Sequence, residues 1–240
     1  MPSKRILILG GTGSARQAAT ELVLLGHEVT YSLAGVTHSP QLPKGQLRMG
    51  GFGGVEGLND YLEVQHIEVV VDGTHAFAAQ MSAQAEAACT AKNVRLLRLE
   101  APAWKAQVND HWIEVADTIG ALKALPLGAK CIVTVGRKDI SAFFARADLS
   151  GVARMIKQPN ETPSPRWQIL LEKPPFNLDT EIDLLRSPQA EFLVSKNAGG
   201  IRPAKLDAAA ALGLSVIMIA RPFKPAVFTV DNMRDLVAAI

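Results

Sequence analysis

A glycine-rich turn between a strand and a helix, close to the start of the chain, most constrains the fold. Ile6–Leu9 is an unbroken apolar run, typical of a strand that is buried on both faces of a parallel sheet. Five residues follow directly: Gly10, Gly11, Thr12, Gly13 and Ser14. Apolar residues then recur at helical spacing as far as Val23. This strand–turn–helix pattern predicts a nucleotide-binding α/β unit, in which the backbone approaches a diphosphate, although Arg16 stands where the dinucleotide motif has its third glycine.

Composition excludes several classes of protein. The chain has 240 residues, of which 48% are hydrophobic, so it can bury a large core. A net charge of +2 gives no reason to expect a nucleic-acid partner. No apolar run reaches the roughly 18 residues that a membrane span needs, and no signal peptide precedes the first strand. The two cysteines lie in apolar patterns and are expected to be reduced, so we expect a cytoplasmic protein. The five histidines lack metal-ligand spacing, so we expect no metal.

The end of the second predicted strand, Glu28–Ala34, indicates which dinucleotide is bound. An acidic residue at this place binds the ribose 2′-hydroxyl of NAD. The strand ends here without a carboxylate, whereas the Ser32 hydroxyl can bind a 2′-phosphate and Arg48 can neutralise it. This favours NADP over NAD. The alternative is that Ser32 is simply a small residue at a strand end.

Two more strand ends carry candidate ligand-binding residues. The predicted strand Leu47–Phe52 runs into Gly50–Gly54, and four glycines in five positions favour close approach to a ligand over a mere connector. The predicted strand Glu68–Asp72 is followed by Thr74 and His75, at the strand end that faces the ligand crevice of an open α/β sheet. Alternatively, His75 caps the next helix or lies on the surface.

The rhythm of strands and helices breaks at Pro102 and then resumes, which predicts domains at 1–102 and 103–240. Cations cluster after several predicted strands: Arg98, Arg137, Lys138, Lys196, Arg202 and Lys205. Surface cations are usually just solvated, but these positions suit the binding of carboxylates and predict a substrate with several anionic groups. The Tyr-x-x-x-Lys pair of short-chain dehydrogenases is absent, since Gly35 and Gln65 stand four residues after the two tyrosines.

Seven motifs, in order along nearly the whole chain, resemble the precorrin-6A reductase family of cobalamin biosynthesis. They are Gly-Gly-Thr-Gly-Ser-Ala-Arg (10–16), Gly-Gly-Phe-Gly-Gly (50–54), Asp-Gly-Thr-His-Ala-Phe-Ala (72–78), Leu-Arg-Leu-Glu-Ala-Pro-Ala-Trp (97–104), Val-Gly-Arg (135–137), Lys-Asn-Ala-Gly-Gly (196–200) and Ala-Lys-Leu-Asp-Ala-Ala (204–209). The resemblance implies an α/β protein with two Rossmann-like parallel-sheet lobes and the active site in a cleft between them. It also implies NADPH-dependent reduction of a double bond in the precorrin-6A macrocycle to give precorrin-6B. Gly73, Ala76 and Ala198 depart from the usual family motifs, and Ala198 lacks the family's hydroxyl.

The predicted site comprises residues for the cofactor, for the substrate and for catalysis. The residues expected to bind NADPH are Gly10, Gly11, Thr12, Gly13, Ser14, Arg16, Ser32, Arg48, Gly50, Gly51, Gly53 and Thr74. Those expected to bind the polycarboxylate tetrapyrrole are Arg137, Lys196, Asn197, Gly199, Gly200 and Lys205. His75 and Lys196 are the candidates for catalysis, as side-chain sources of a proton that can also come from solvent. The competing hypotheses are an NADP-binding regulatory protein without turnover and an NADP-dependent reductase of another polyanionic metabolite.

Overall fold

Two six-stranded, all-parallel sheets form the fold, one in each of two compact units. The computed structural model describes residues 2–35, 45–186 and 189–240. The first unit comprises Met1–Pro102 and Phe223–Ile240, and the second comprises Ala103–Pro222. The predicted α/β class with two parallel sheets is confirmed.

The first sheet follows the strand order of a dinucleotide-binding fold. Its strands are β1 (Arg5–Leu9), β2 (Glu28–Leu33), β3 (Gln46–Met49), β4 (Val69–Asp72), β5 (Arg95–Leu99) and β12 (Phe228–Val230). Its helices are α1 (Gly13–Leu24), α2 (Gly54–Val64), α3 (Ala79–Lys92) and α8 (Met233–Ala239). In the order β12-β5-β4-β1-β2-β3, the chain places β2 and β3 on one side of β1 and then places β4 and β5 on its other side. The loops that follow β1 and β4 therefore leave the sheet side by side, at the place where such folds bind ligands.

Burial on both faces explains the apolar run of β1. Ile6 and Ile8 pack into the core formed with α1 and α8, while Leu7 and Leu9 pack into the core formed with α2 and α3. Because successive side chains of a strand point to opposite faces, a central strand needs apolar residues at every position. The structure shows such burial for all four residues.

The second sheet repeats this arrangement. Its strands are β6 (His111–Val115), β7 (Lys130–Val133), β8 (Ser150–Met155), β9 (Trp167–Leu171), β10 (Phe192–Lys196) and β11 (Ser215–Ile219). Its helices are α4 (Thr118–Ala124), α5 (Ile140–Phe144), α6 (Leu178–Arg186) and α7 (Ala204–Ala211). The order β6-β11-β10-β7-β8-β9 reverses between β7 and β10, so the loops after these strands are neighbours.

The C-terminal segment differs from the predicted domain limits. Residues 223–240 belong to the first unit, because β12 pairs in parallel with β5 and places Phe228 opposite Leu97. Leu236 and Ile240 then join the core against α1. The sequence analysis did not predict β12, a three-residue edge strand. Within the described ranges, no helix is long and apolar enough to cross a membrane.

Candidate functional site

The glycine turn after β1 uses its first two amides within the fold. The Gly10 N–H donates to the Ser32 carbonyl oxygen at 2.8 Å, and the Gly11 N–H donates to the Tyr31 hydroxyl at 3.2 Å. A Cβ at Gly10 would overlap the buried Tyr31 ring. By contrast, in the part of the chain that the structure describes, no acceptor meets the amides of Gly13 and Ser14, which begin α1. The amides that remain for an anion are therefore those at the helix start, and Gly10 and Gly11 stay predicted cofactor contacts through close approach of their backbone.

Thr12 joins the two loops at the strand-order reversal of the first sheet. Its hydroxyl donates to the Gly73 carbonyl oxygen at 2.8 Å and accepts from the Ala15 N–H at 3.1 Å, as a helix N-cap does. A Cβ at Gly73 would lie 2.6 Å from the Ala15 Cβ, so glycine lets the two loops pack closely. The buried Thr74 hydroxyl donates to Asp72 at 2.6 Å. Both threonine side chains thus hold the loops, whereas the sequence analysis expected them to bind the cofactor.

The predicted pair Ser32 and Arg48 does come together. The two residues lie opposite each other in the register of β2 and β3, and Arg48 Nη1 donates to Ser32 Oγ at 3.3 Å. The same guanidinium donates to the carbonyl oxygens of Gly50 at 2.6 Å and Gly51 at 2.9 Å. Ser32 is buried but keeps its hydroxyl proton as a donor. A hydroxyl and a guanidinium at the end of β2 suit a 2′-phosphate.

The glycines after β3 adopt backbone conformations that other residues rarely adopt. Gly50 has φ +105° and Gly53 has φ +81°. A Cβ at Gly51 would meet nothing within 4 Å, which leaves open space beside the backbone at this place. Arg16 is exposed in the first turn of α1.

Arg98 is a correction to the predicted substrate-binding cations. It is buried, and its Nε donates to Asp72 at 3.1 Å, while Nη1 donates to the Pro225 carbonyl oxygen at 2.9 Å. Burial raises the pKa of Asp72, but the hydrogen bond from Thr74 and the charges of Lys224 and Arg98 outweigh it and hold that pKa below its usual value. This ion pair stabilises the ends of β4 and β5 and holds the returning C-terminal segment.

His75 lies exposed on the loop after β4. Its Nδ1 accepts a hydrogen bond from the Phe77 N–H at 3.2 Å, so the neutral ring carries its proton on Nε2. Lys224 Nζ donates to the His75 carbonyl oxygen at 3.4 Å and to Glu100 at 2.7 Å, and so links this loop to the end of β5. In this tautomer Nε2–H donates a hydrogen bond, whereas general acid catalysis requires the ring to be protonated on both nitrogens, which displaces the Phe77 N–H from Nδ1.

In the second unit, the loops after β7 and β10 carry the predicted cations. Lys196, the last residue of β10, forms an ion pair with Asp139, which lies in the loop after β7. Arg137 and Lys138 are exposed on that same loop. Asp139 holds the Lys196 ammonium where the two loops meet, and the sequence analysis did not identify it.

Lys205 is partly buried, and its ammonium is bonded within the second unit. Its Nζ donates to Thr134 Oγ1 at 2.9 Å, and that hydroxyl donates to the Val194 carbonyl oxygen at 3.0 Å. Burial, followed by the positive charge of Arg154, lowers the pKa of Lys205 to about 8. Arg154 itself forms a buried two-bond ion pair with Glu181, at 2.8 and 3.1 Å, which sequence reasoning missed.

Three of the remaining predicted substrate contacts, Asn197, Gly199 and Gly200, lie in the loop after β10. The Asn197 side chain exchanges two hydrogen bonds with the main chain of Trp104, at 2.8 and 2.9 Å, so its amide has a structural role. Gly199 and Gly200 follow with φ +77° and +81°. Arg202, a candidate cation, is instead paired with Asp110 and Asp207 at 2.6 and 2.5 Å.

Comparison with known proteins gives one consistent family. The family model described as precorrin-6x reductase CbiJ/CobK matches residues 5–240. A precorrin-6A reductase of Rhodococcus erythropolis is 41% identical over 238 residues, covering 98% of this chain and 96% of the relative. One of Rhodobacter capsulatus is 41% identical over 225 residues, covering 92% and 90%. A solved structure titled CobK precorrin-6A reductase matches with a TM-score of 0.90 and 38% identity, covering 98% of this chain and 95% of that chain.

Proposed function

This chain belongs to the precorrin-6x reductase family CbiJ/CobK, and on that premise we propose that it reduces a double bond of precorrin-6A with NADPH, giving precorrin-6B in cobalamin biosynthesis. The use of NADPH is supported by the Ser32–Arg48 pair, which joins the ends of β2 and β3 on a sheet with the strand order of a dinucleotide-binding fold. No carboxylate follows β2 within its described end, Leu33–Gly35, to bind the 2′-hydroxyl of NAD instead.

The residues of the first unit fit NADPH. The amides of Gly13 and Ser14 and the start of α1 bind the diphosphate, because helix N-termini attract anions. Ser32 and Arg48 bind the 2′-phosphate, and the Gly50–Gly53 loop lets the backbone approach the adenosine. When bound, NADPH supplies the hydride.

The cations of the second unit bind the carboxylates of the macrocycle. Arg137 is exposed and Lys196 is held by Asp139 at the end of β10, so both can pair with acetate or propionate side chains. The amides of the Gly199–Gly200 turn add neutral donors. Lys205 supports this region from within, through Thr134.

A proton must reach the carbon next to the one that accepts the hydride. His75 is the side-chain donor in its imidazolium form: protonation of Nδ1 gives up the hydrogen bond from the Phe77 N–H, and Nε2–H then transfers its proton. Lys196 acts as an anion clamp. The macrocycle is a conjugated electrophile, so orientation contributes more to the rate than a strong acid does.

Steady-state kinetics with NADPH and precorrin-6A test this proposal. Arg137→Ala and Lys196→Ala should each raise KM with little change in kcat, since they remove binding common to the ground and transition states. Lys130→Ala, an exposed lysine at the opposite, N-terminal end of β7, is the matched control and should leave KM near the wild-type value. If the wild-type protein binds NADPH without any turnover, the regulatory alternative is favoured, and turnover of a different polyanion alone would favour the third hypothesis.

A further inference from the structure

The loop after β3 is seated on α2 by a glycine inside the helix. A Cβ at Gly57 would overlap the Phe52 carbonyl oxygen, so only glycine lets that carbonyl lie against the start of α2. Tyr61 lies four residues further along α2 and therefore on the same face of the helix. The rings of Phe52 and Tyr61 meet edge to face, with centroids 5.2 Å apart and an interplanar angle of 69°. Gly57 thus makes room for the Phe52 main chain beside α2, and Tyr61 contacts the Phe52 ring.

These two rings form a platform for the Arg48 guanidinium. Its central carbon lies 3.7 Å from the Phe52 ring centroid and 5.1 Å from the Tyr61 centroid, within the range of a cation–π interaction. The carbonyl oxygens of Gly50 and Gly51 hold the two ends of the fork. The guanidinium is therefore fixed in position and in plane before any ligand binds.

We propose that Phe52 and Tyr61 are positioning residues that give this protein its preference for a 2′-phosphorylated nucleotide; this inference rests on the proposed function. Arg48 has five N–H donors, and three are engaged with Ser32, Gly50 and Gly51. The donors that remain, together with the Ser32 hydroxyl, meet the 2′-phosphate. An arginine that is already ordered loses less rotamer freedom on binding than a mobile one, so the platform raises the affinity for the phosphate specifically.

The test compares two nucleotides that differ only in the 2′-phosphate, adenosine 2′,5′-bisphosphate and adenosine 5′-monophosphate, by titration calorimetry with the full chain. Phe52→Leu should weaken the bisphosphate by about threefold to tenfold, the loss expected when one side chain must be immobilised on binding. Binding of the monophosphate should stay near wild type. Phe52→Tyr keeps the ring and should restore the wild-type preference, and circular dichroism checks that each variant is folded.

Three results would overturn the inference. If Arg48→Ala loses the preference while Phe52→Leu keeps it, the platform has no part in recognition and the cofactor assignment still stands. If Phe52→Leu weakens both nucleotides equally, the ring maintains the loop and not the selectivity. If the wild-type protein itself does not distinguish the two nucleotides, the proposed NADPH specificity fails and this inference fails with it.

Discussion

Replacing Arg98 with Met should strongly destabilise the protein without changing how it binds substrate. The side chains of Arg98 and Asp72 are only 6% and 1% exposed, so the substitution leaves a buried carboxylate without its cation. Breaking such a pair costs about 3–5 kcal/mol of unfolding free energy. Asp72 keeps its hydrogen bonds from Thr74, at 2.6 and 3.2 Å, which places the expected loss at about 3 kcal/mol, near the lower limit of that range.

The loss of unfolding free energy in Arg98→Met should depend on pH, because it arises from the charge of Asp72. The pKa of Asp72 lies below its usual 3.8 in the folded protein, so its ionised form stabilises the fold above that pH and this contribution is lost in acid. Without Arg98, the buried carboxylate is harder to ionise. The difference in unfolding free energy between Arg98→Met and the wild type should therefore be largest at pH 7 and shrink as the pH falls below about 4.

Urea unfolding followed by far-ultraviolet circular dichroism is the suitable assay. The three tryptophans, Trp104, Trp112 and Trp167, all lie in the second unit, so their fluorescence does not report directly on the first. The double variant Asp72→Asn/Arg98→Met should recover much of the loss, because it removes the buried charge. A stability within about 1 kcal/mol of wild type, accompanied by a tenfold or greater rise in KM for precorrin-6A, would refute this reasoning and return Arg98 to the substrate site.

Three further predictions concern the cofactor loop, the partly buried Lys205 and the proton donor. Gly51→Ala should leave the unfolding free energy unchanged, because its Cβ meets nothing within 4 Å, but raise the Kd of NADPH about fivefold in a fluorescence titration, since the loop approaches the cofactor. In urea titrations between pH 8 and 10.5, the unfolding free energy of wild type should rise by up to about 3 kcal/mol relative to that of Lys205→Met, because Lys205 loses its proton at a lower pH in the folded protein than in the unfolded chain. A difference in unfolding free energy that does not change with pH would contradict the lowered pKa. His75→Ala should lower kcat at saturating substrates by about tenfold to a hundredfold; an unchanged kcat would make solvent the proton source.

Register explains why sequence reasoning placed some cations well and others wrongly. Ser32 and Arg48 were predicted to act together, and they face each other across β2 and β3. Arg98 was predicted to bind substrate from the end of β5, yet the register places it opposite Asp72 on β4. A cation at a strand end is visible in the sequence, but the residue on the neighbouring strand depends on which strands pair and in what alignment. That information is not local.

The return of the C-terminal segment was hidden for a related reason. The sheet strands with long apolar runs, such as β1 and β4, were predicted almost to the residue. β12 has three residues, two of them exposed, and follows Pro222 and Pro225, so neither length nor burial marks it as a strand. Its stability comes from β5 and from α8, which packs on the first core. The polar partners Thr12–Gly73 and Lys196–Asp139 were likewise set by the meeting of loops that are distant in sequence.

Transfer of deuterium from the cofactor to the product would show that NADPH supplies the hydride. The purified protein is incubated with precorrin-6A and NADPH that carries deuterium at the transferable position of nicotinamide C4, and the product is examined by visible spectroscopy and mass spectrometry. We expect loss of the longer-wavelength absorption and a product that contains one deuterium from NADPH and one hydrogen from the protein or solvent. NADH under the same conditions should react far more slowly. A product without deuterium, or an unchanged spectrum in the presence of bound NADPH, would contradict the assignment of this chain as an NADPH-dependent precorrin-6A reductase.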